Sequence, residues 1–217
     1  MNLQGNSLVE RINMNNLSVK NISISLLDTE TTGLESDKEI LEVGIVRVHP
    51  DGSREEFQTL VKPSNPVELT EIHRITQEEV EEAPSIADTL AVVKNLVQGT
   101  LVVAHNAIFD ISKINQALAR LDEELLQAPY ACTKEGHATL FPQLRHSLKS
   151  CCEQFGIDLT GHHAALDDAK ATETLLLKHL FPLAITKGKG FVAPRPWYDT
   201  VIPFTEIDLG KVHNRKS

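Results

Sequence analysis

Apolar and polar residues alternate through "NISISLL" (21–27), where Ile22, Ile24 and Leu26 share one face. This is the period-two signature of a β-strand. The segment "KEILEVGIVRVHPDGSREEFQTLVKP" (38–63) holds two more strand-like runs around "HPDGS", and its Asp-Gly pair is a strong hairpin signal. Three consecutive strands with short connections predict an antiparallel meander. The period then changes. Within 76–99, Thr76 and Glu79 have capping-box spacing, Pro84 interrupts, and Ile86, Leu90, Val93 and Leu96 or Val97 form a helical stripe that ends near Gly99. "TLVVAH" (100–105) reads as a short buried strand. Residues 107–121 read as a helix, with Ile111, Ile114, Leu118 and Leu121 on one face. "YACT" is a further short strand, 147–156 a helix stopped by Gly156, and 164–180 a long closing helix.

This order predicts an α/β fold with a mixed central sheet flanked by helices, three antiparallel strands coming first and parallel ones after. Residues 21–182 read as one domain. A polar, loosely held segment (1–20) precedes it. Residues 183–217 lose periodicity, gain Gly, Pro and Lys, and form a tail or small appendage that packs back on the domain or docks a partner; it includes the chain's single Trp, Trp197.

Composition narrows the picture only in part. The chain has 217 residues, 41% hydrophobic and 24% charged, ordinary values for one globular domain. No run of 18 apolar residues exists, so no membrane span is expected, and "MNLQGNSLVERINMNN" lacks the basic start and apolar stretch of a secretory signal. Cys132, Cys151 and Cys152 lack zinc-type spacing and read as buried core thiols in a reducing, cytoplasmic setting. The net charge of -9 argues against a broad nucleic-acid-coating surface. It leaves room for an enzyme that grips nucleic acid through metal ions, backbone amides and a local basic rim. Lys134, Arg145, His146 and Lys149 could supply that rim, or be ordinary solvated charges.

Candidate chemistry lies at the ends of elements. In "LLDTETTGL" (26–34), Asp28 and Glu30 follow an apolar run at alternate positions, so their side chains point the same way. Two such carboxylates repel unless a cation sits between them, and an all-oxygen donor set favours magnesium or manganese. Asp110 opens the helix after "VVAH", where an acid is equally the mark of dipole compensation. "GHHAALDDAKAT" offers His162, His163, Asp167 and Asp168. Helical phase favours Asp168, whose neighbours one and two turns on are Ala171, Thr172 and Leu175. A histidine beside such an acid titrates in the range suited to proton abstraction near neutral pH.

Singly these are weak signals. Together, "DTETTG" (28–33), "HNAIFD" (105–110) and "HAALDDA" (163–169) resemble the three motif blocks of the DEDDh 3′–5′ exonucleases, the family of the polymerase III proofreading subunit, ribonuclease T and exodeoxyribonuclease X. The resemblance covers roughly residues 20 to 182. "EIHRITQEEV" and "YACTKEGHATLFP" are similar to its exodeoxyribonuclease X and proofreading branch. The resemblance implies a ribonuclease H-like fold. It also selects His163 and Asp168 from the doubled residues. It implies Asp28, Glu30 and Asp168 as ligands of one divalent cation (Mg²⁺ or Mn²⁺), Asp28 bridging to a second, Asp110 assisting, and His163 as general base. Thr31, Thr32, Leu34, His73, Asn106 and Phe109 would hold the terminal nucleotide, with His105 structural. The implied partners are nucleic-acid 3′ ends, single-stranded DNA favoured, and a DNA polymerase, although no polymerase domain or clamp-binding peptide stands out. An exoribonuclease and a non-catalytic polymerase-docking or nucleic-acid-binding module are the competing readings.

Overall fold

The structure, a computed structural model, describes residues 22–33, 38–126, 128–159, 164–186 and 195–196. It opens with three strands, β1 (Ile24–Thr31), β2 (Ile40–Val48) and β3 (Arg54–Leu60). The "HPDGS" turn closes with His49 N–H donating to the Ser53 carbonyl, and Gly52 takes a φ of 87° that a side chain would resist. Two one-turn helices follow, α1 (Thr70–His73) and α2 (Gln77–Val80). The Thr76–Glu79 capping box is formed, but it starts α2 only; Ser85 caps a separate helix, α3 (Ile86–Val97). Then come β4 (Leu101–Ala104), α4 (Ala107–Arg120), β5 (Pro129–Cys132), α5 (Thr133–Leu140) and α6 (Leu148–Phe155). The closing helix α7 (Ala165–Thr174) widens into a π-helical segment (Leu175–Leu180) and continues as α8 (Phe181–Thr186). It runs past the expected stop near Leu180, because the backbone stays helical at Phe181 (φ -62°, ψ -54°), whose N–H donates to the Leu176 carbonyl.

The sheet order is β3-β2-β1-β4-β5-β6, where β6 is the two residues Arg195–Pro196. The meander pairs antiparallel, β1–β4 and β4–β5 pair parallel, and β5–β6 is antiparallel. The mixed sheet flanked by helices is therefore the observed fold. A two-residue piece of the C-terminal segment closes one sheet edge; the remainder beyond Thr186, like residues 1–20, lies outside the described residues.

Leu26 and Leu27 are adjacent and both fully buried, which requires cover on both sheet faces. One face packs Leu27, Val43, Ile45 and Val102 against α3 and α4. The other packs Leu26, Val46 and Val103 against α6, α7 and the π segment. All three cysteines are free and buried, as core thiols. Among the described residues, no helix is long and apolar enough to cross a membrane.

Candidate active site

β1 alternates its side chains between the two covered faces. Asp28 and Glu30 share the face of Leu26, so they point toward α7. Opposite them on β2 stand Gly44, paired with Asp28, and Glu42, paired with Glu30. The pairing then shifts by a bulge, so that Thr31 opposes Ile40, and the strand ends in irregular backbone beside the acids. Gly44 has a steric reason. A Cβ there would fall 2.2 Å from the Ala165 carbonyl carbon and the Leu166 nitrogen. The first turn of α7 thus lies directly on β2, and it turns Asp168 inward (5% exposed) while Asp167 stays in solvent. One carboxylate oxygen from each of Asp28, Glu30 and Asp168 lies within 4.8 Å of the others.

Asp110 arrives from the opposite layer. Its Oδ1 accepts from the Thr29 backbone N–H (3.0 Å) and the Thr29 hydroxyl (2.8 Å), which fixes it between Asp28 and Glu30 in the chain. Thr29 can reach it because odd-numbered residues of β1 face α3 and α4. Asn106 starts α4 in the left-handed conformation, φ 76°, and Phe109 N–H donates to its carbonyl. His105 is anchored at both ring nitrogens, Nδ1 with the Thr133 hydroxyl and Nε2 with the His146 carbonyl. Burial holds its pKa down at about 4, so it is a neutral structural group at pH 7.

Burial pushes Asp28, Glu30 and Asp110 the other way. Glu30 is raised to about 8, first by desolvation and then by Asp168, Glu42 and Asp110. Asp110 is raised to about 7 by burial, against the Thr29 hydrogen bonds that pull it down. Asp28 is raised well above the usual carboxylate range, by burial and then by Asp110, Asp168, Glu30 and Glu42. Two unit charges at this spacing repel by about 3–4 kcal/mol at an effective dielectric of about 20. Such acids ionise together only when positive charge joins them. An all-carboxylate donor set suits a hard divalent cation.

The other residues read from the sequence divide into three groups. Asn106 and Phe109 are half-buried at the start of α4, and the Lys113 ammonium lies 5.6 Å from the Phe109 ring centre. Thr31 and Thr32 are buried, and their hydroxyls serve the local backbone: Thr31 donates to the Gly33 carbonyl, and Thr32 accepts from Glu39 N–H. His73 is 3% exposed; Nε2 bonds the Glu68 carbonyl and Nδ1 accepts from Ile75 N–H, so its ring pins the turn around α1. Leu34 and His163 lie outside the described residues. Sequence reasoning passed over Glu42 and Gly44. Both carried a signal: an acid inside an apolar strand, and a glycine in mid-strand that marks close backbone approach.

The comparisons agree with this geometry. The profile of the exonuclease family of ribonuclease T type matches residues 25–176. The PolC-type DNA polymerase III of Oceanobacillus iheyensis is 31% identical over 205 residues, covering 87% of this chain and 14% of that protein. The PolC-type enzyme of Bacillus subtilis is 34% identical over 160 residues, 71% of this chain and 11% of that one. The chain thus spans about one-seventh or less of the length of these curated relatives. Exonuclease X, solved with 5′ overhanging duplex DNA, superposes with a TM-score of 0.61 at 26% identity, over 78% of this chain and 96% of that one. The nuclease domain of 3′hExo, a DEDDh family member bound to rAMP, shares the fold: TM-score 0.63, 19% identity, 81% of this chain and 96% of that one. With the family profile spanning residues 25–176, and Asp28, Glu30 and Asp168 converging in space within that span, the chain belongs to the exonuclease family of ribonuclease T type.

Proposed function

We propose that this chain is a metal-dependent 3′–5′ exonuclease that hydrolyses terminal phosphodiesters of nucleic acid, DNA foremost, to nucleoside 5′-monophosphates. The observation that carries the reading is the convergence of Asp28, Glu30 and Asp168 within 4.8 Å, with Asp110 held beside them. Asp28, Glu30 and Asp168 would hold one Mg²⁺ or Mn²⁺, and Asp28 with Asp110 a second. Bound there, the cations would neutralise the acids, acidify the attacking water and offset charge on the phosphodiester. The protein's own groups do the rest. His163 takes the proton from the attacking water, and the 3′ oxygen of the penultimate nucleotide leaves. Asn106 and Phe109, partly open at the start of α4, meet the terminal nucleotide without reading its sequence. The family resemblance adds the backbone at Thr31, Thr32 and Leu34 as further contacts to that nucleotide. His73 acts through the turn it pins.

DNA is favoured because Exonuclease X was solved on DNA and because the PolC-type relatives are DNA polymerases. The same resemblance supports a role in proofreading or repair with a DNA polymerase as partner, and the three free cysteines fit a cytoplasmic setting. End-labelled single-stranded DNA, duplex DNA and RNA, digested with Mg²⁺ and with or without chelator, test the reading. Laddering from the 3′ end of DNA, abolished by chelator and by Asp28→Ala, is the expected result. Faster loss of RNA ends moves the substrate class to RNA. No cleavage of any substrate favours a docking module and overturns the proposal.

A further inference from the structure

We propose that Glu42 is a positioning residue, a latch that holds the first turn of α7 on β2 and so sets where Asp168 stands relative to Asp28 and Glu30. The proposal rests on the metal-dependent reading above and names a residue outside the four acids and the histidine.

Helix α7 begins at a poor cap. Its N-cap is Ala164, with extended backbone (φ -114°, ψ 118°) but no side chain able to accept from the exposed N–H groups of the first turn. The missing acceptor comes from 123 residues away. A Glu42 carboxylate oxygen accepts from Ala165 N–H at 2.9 Å. The other oxygen accepts from Gln58 Nε2, on the neighbouring strand β3, at 2.6 Å. Glu42 is 5% exposed, so its two oxygens are satisfied by these protein donors away from bulk water. Two positions along β2, Gly44 removes the side chain that would keep α7 away. One residue attracts the helix terminus and the other admits it.

The register makes the consequence specific. Glu42 stands directly across from Glu30, and Gly44 across from Asp28. Asp168 lies one turn beyond Ala165, and its own N–H closes the first turn onto the Ala164 carbonyl. The latch and the acid therefore share a single helical turn, and a shift at Ala165 is transmitted directly to the Asp168 carboxylate.

The test uses the full chain and three readouts: Mn²⁺ affinity by calorimetry, amide hydrogen exchange across residues 165–168, and steady-state kinetics on a DNA 3′ end. Glu42→Ala is expected to weaken Mn²⁺ binding by about 10–100-fold, as for other groups that orient metal ligands. It should speed exchange in the first turn of α7 by about tenfold or more, and lower kcat with KM changed by less than about threefold. Glu42→Gln keeps an oxygen for Ala165 N–H, and the Gln58 amide can rotate to suit it. It should stay within about threefold of the parent in all three readouts. Glu42→Ala indistinguishable from the parent overturns the latch. Glu42→Gln as impaired as Glu42→Ala also overturns it, since charge rather than the bond would then be the cause. If Glu42→Ala does not fold, Gln58→Ala unties one oxygen without changing charge; faster exchange at 165–168 is expected, and none overturns the proposal. A parent protein that binds Mn²⁺ but cleaves nothing sinks the exonuclease reading alone, because the first two readouts still judge the latch.

Discussion

Asp28 and Glu30 sit where charge is costly, and burial raises the pKa of both. Glu30 moves from an ordinary 4.5 to about 8, and Asp110 from 3.8 to about 7. Below about pH 4 the folded and unfolded chains both keep these protons, and the acids exact no penalty. Between the ordinary and raised values the unfolded chain releases protons that the folded chain retains. Stability is therefore lost as pH rises, and the loss is complete near the raised values. In chelator, the melting temperature should fall when pH is raised from 5 to 8, and Mg²⁺ should recover much of the loss at the upper end. A melting temperature that rose over that range without metal would contradict the assignment. At the same scale, His163→Ala should lower the rate by about 10²–10⁴-fold, the range for losing a general base. Mn²⁺ affinity should be unchanged, and a drop in it would move His163 among the ligands.

The elements explain why separate residues meet. A strand of period two sends Asp28 and Glu30 to one face and Thr29 to the other, where Thr29 holds Asp110. The bulge after Glu30 ends this alternation, and the strand stops at Thr31. Helix α7 presses its backbone onto Gly44 instead of packing side chain against side chain. Gly44→Ala should therefore push the first turn away. Overpacking of this kind costs about 1–3 kcal/mol of stability. A displacement of Asp168 by about 1 Å could cost on the order of 10²-fold in rate. Denaturant unfolding and nuclease assay of the same preparation check both expectations. A fully active, equally stable variant would show that α7 can adjust.

For the whole molecule, charge is the main constraint. A chain at -9 repels a polyanion in general, and its acidic centre repels it locally. Bound cations reverse that local sign. Association with a labelled oligonucleotide, followed by fluorescence anisotropy, should be weak in chelator and tighten when Ca²⁺ is supplied in place of Mg²⁺. Equal binding under both conditions would move recognition to the rim around Lys134, Arg145, His146 and Lys149. The chain corresponds to only a small part of its PolC-type relatives, so a polymerase partner belongs to the proposal and not to the fold.

Much of this was legible without coordinates, for a physical reason: period and spacing are local. Alternation located β1 and aimed Asp28 and Glu30 together, helical phase chose Asp168 over Asp167, and the Asp-Gly turn made the hairpin. The sequence by itself determined which side chains could bear the chemistry, because side-chain direction follows from backbone period. Only the tertiary structure decided which of them meet. It placed α7 on Gly44, tied Ala165 to Glu42 across 123 residues, and enlisted Thr31, Thr32 and His73 in holding backbone. Those outcomes depend on close packing and on satisfying buried polar groups, neither of which a one-dimensional period encodes.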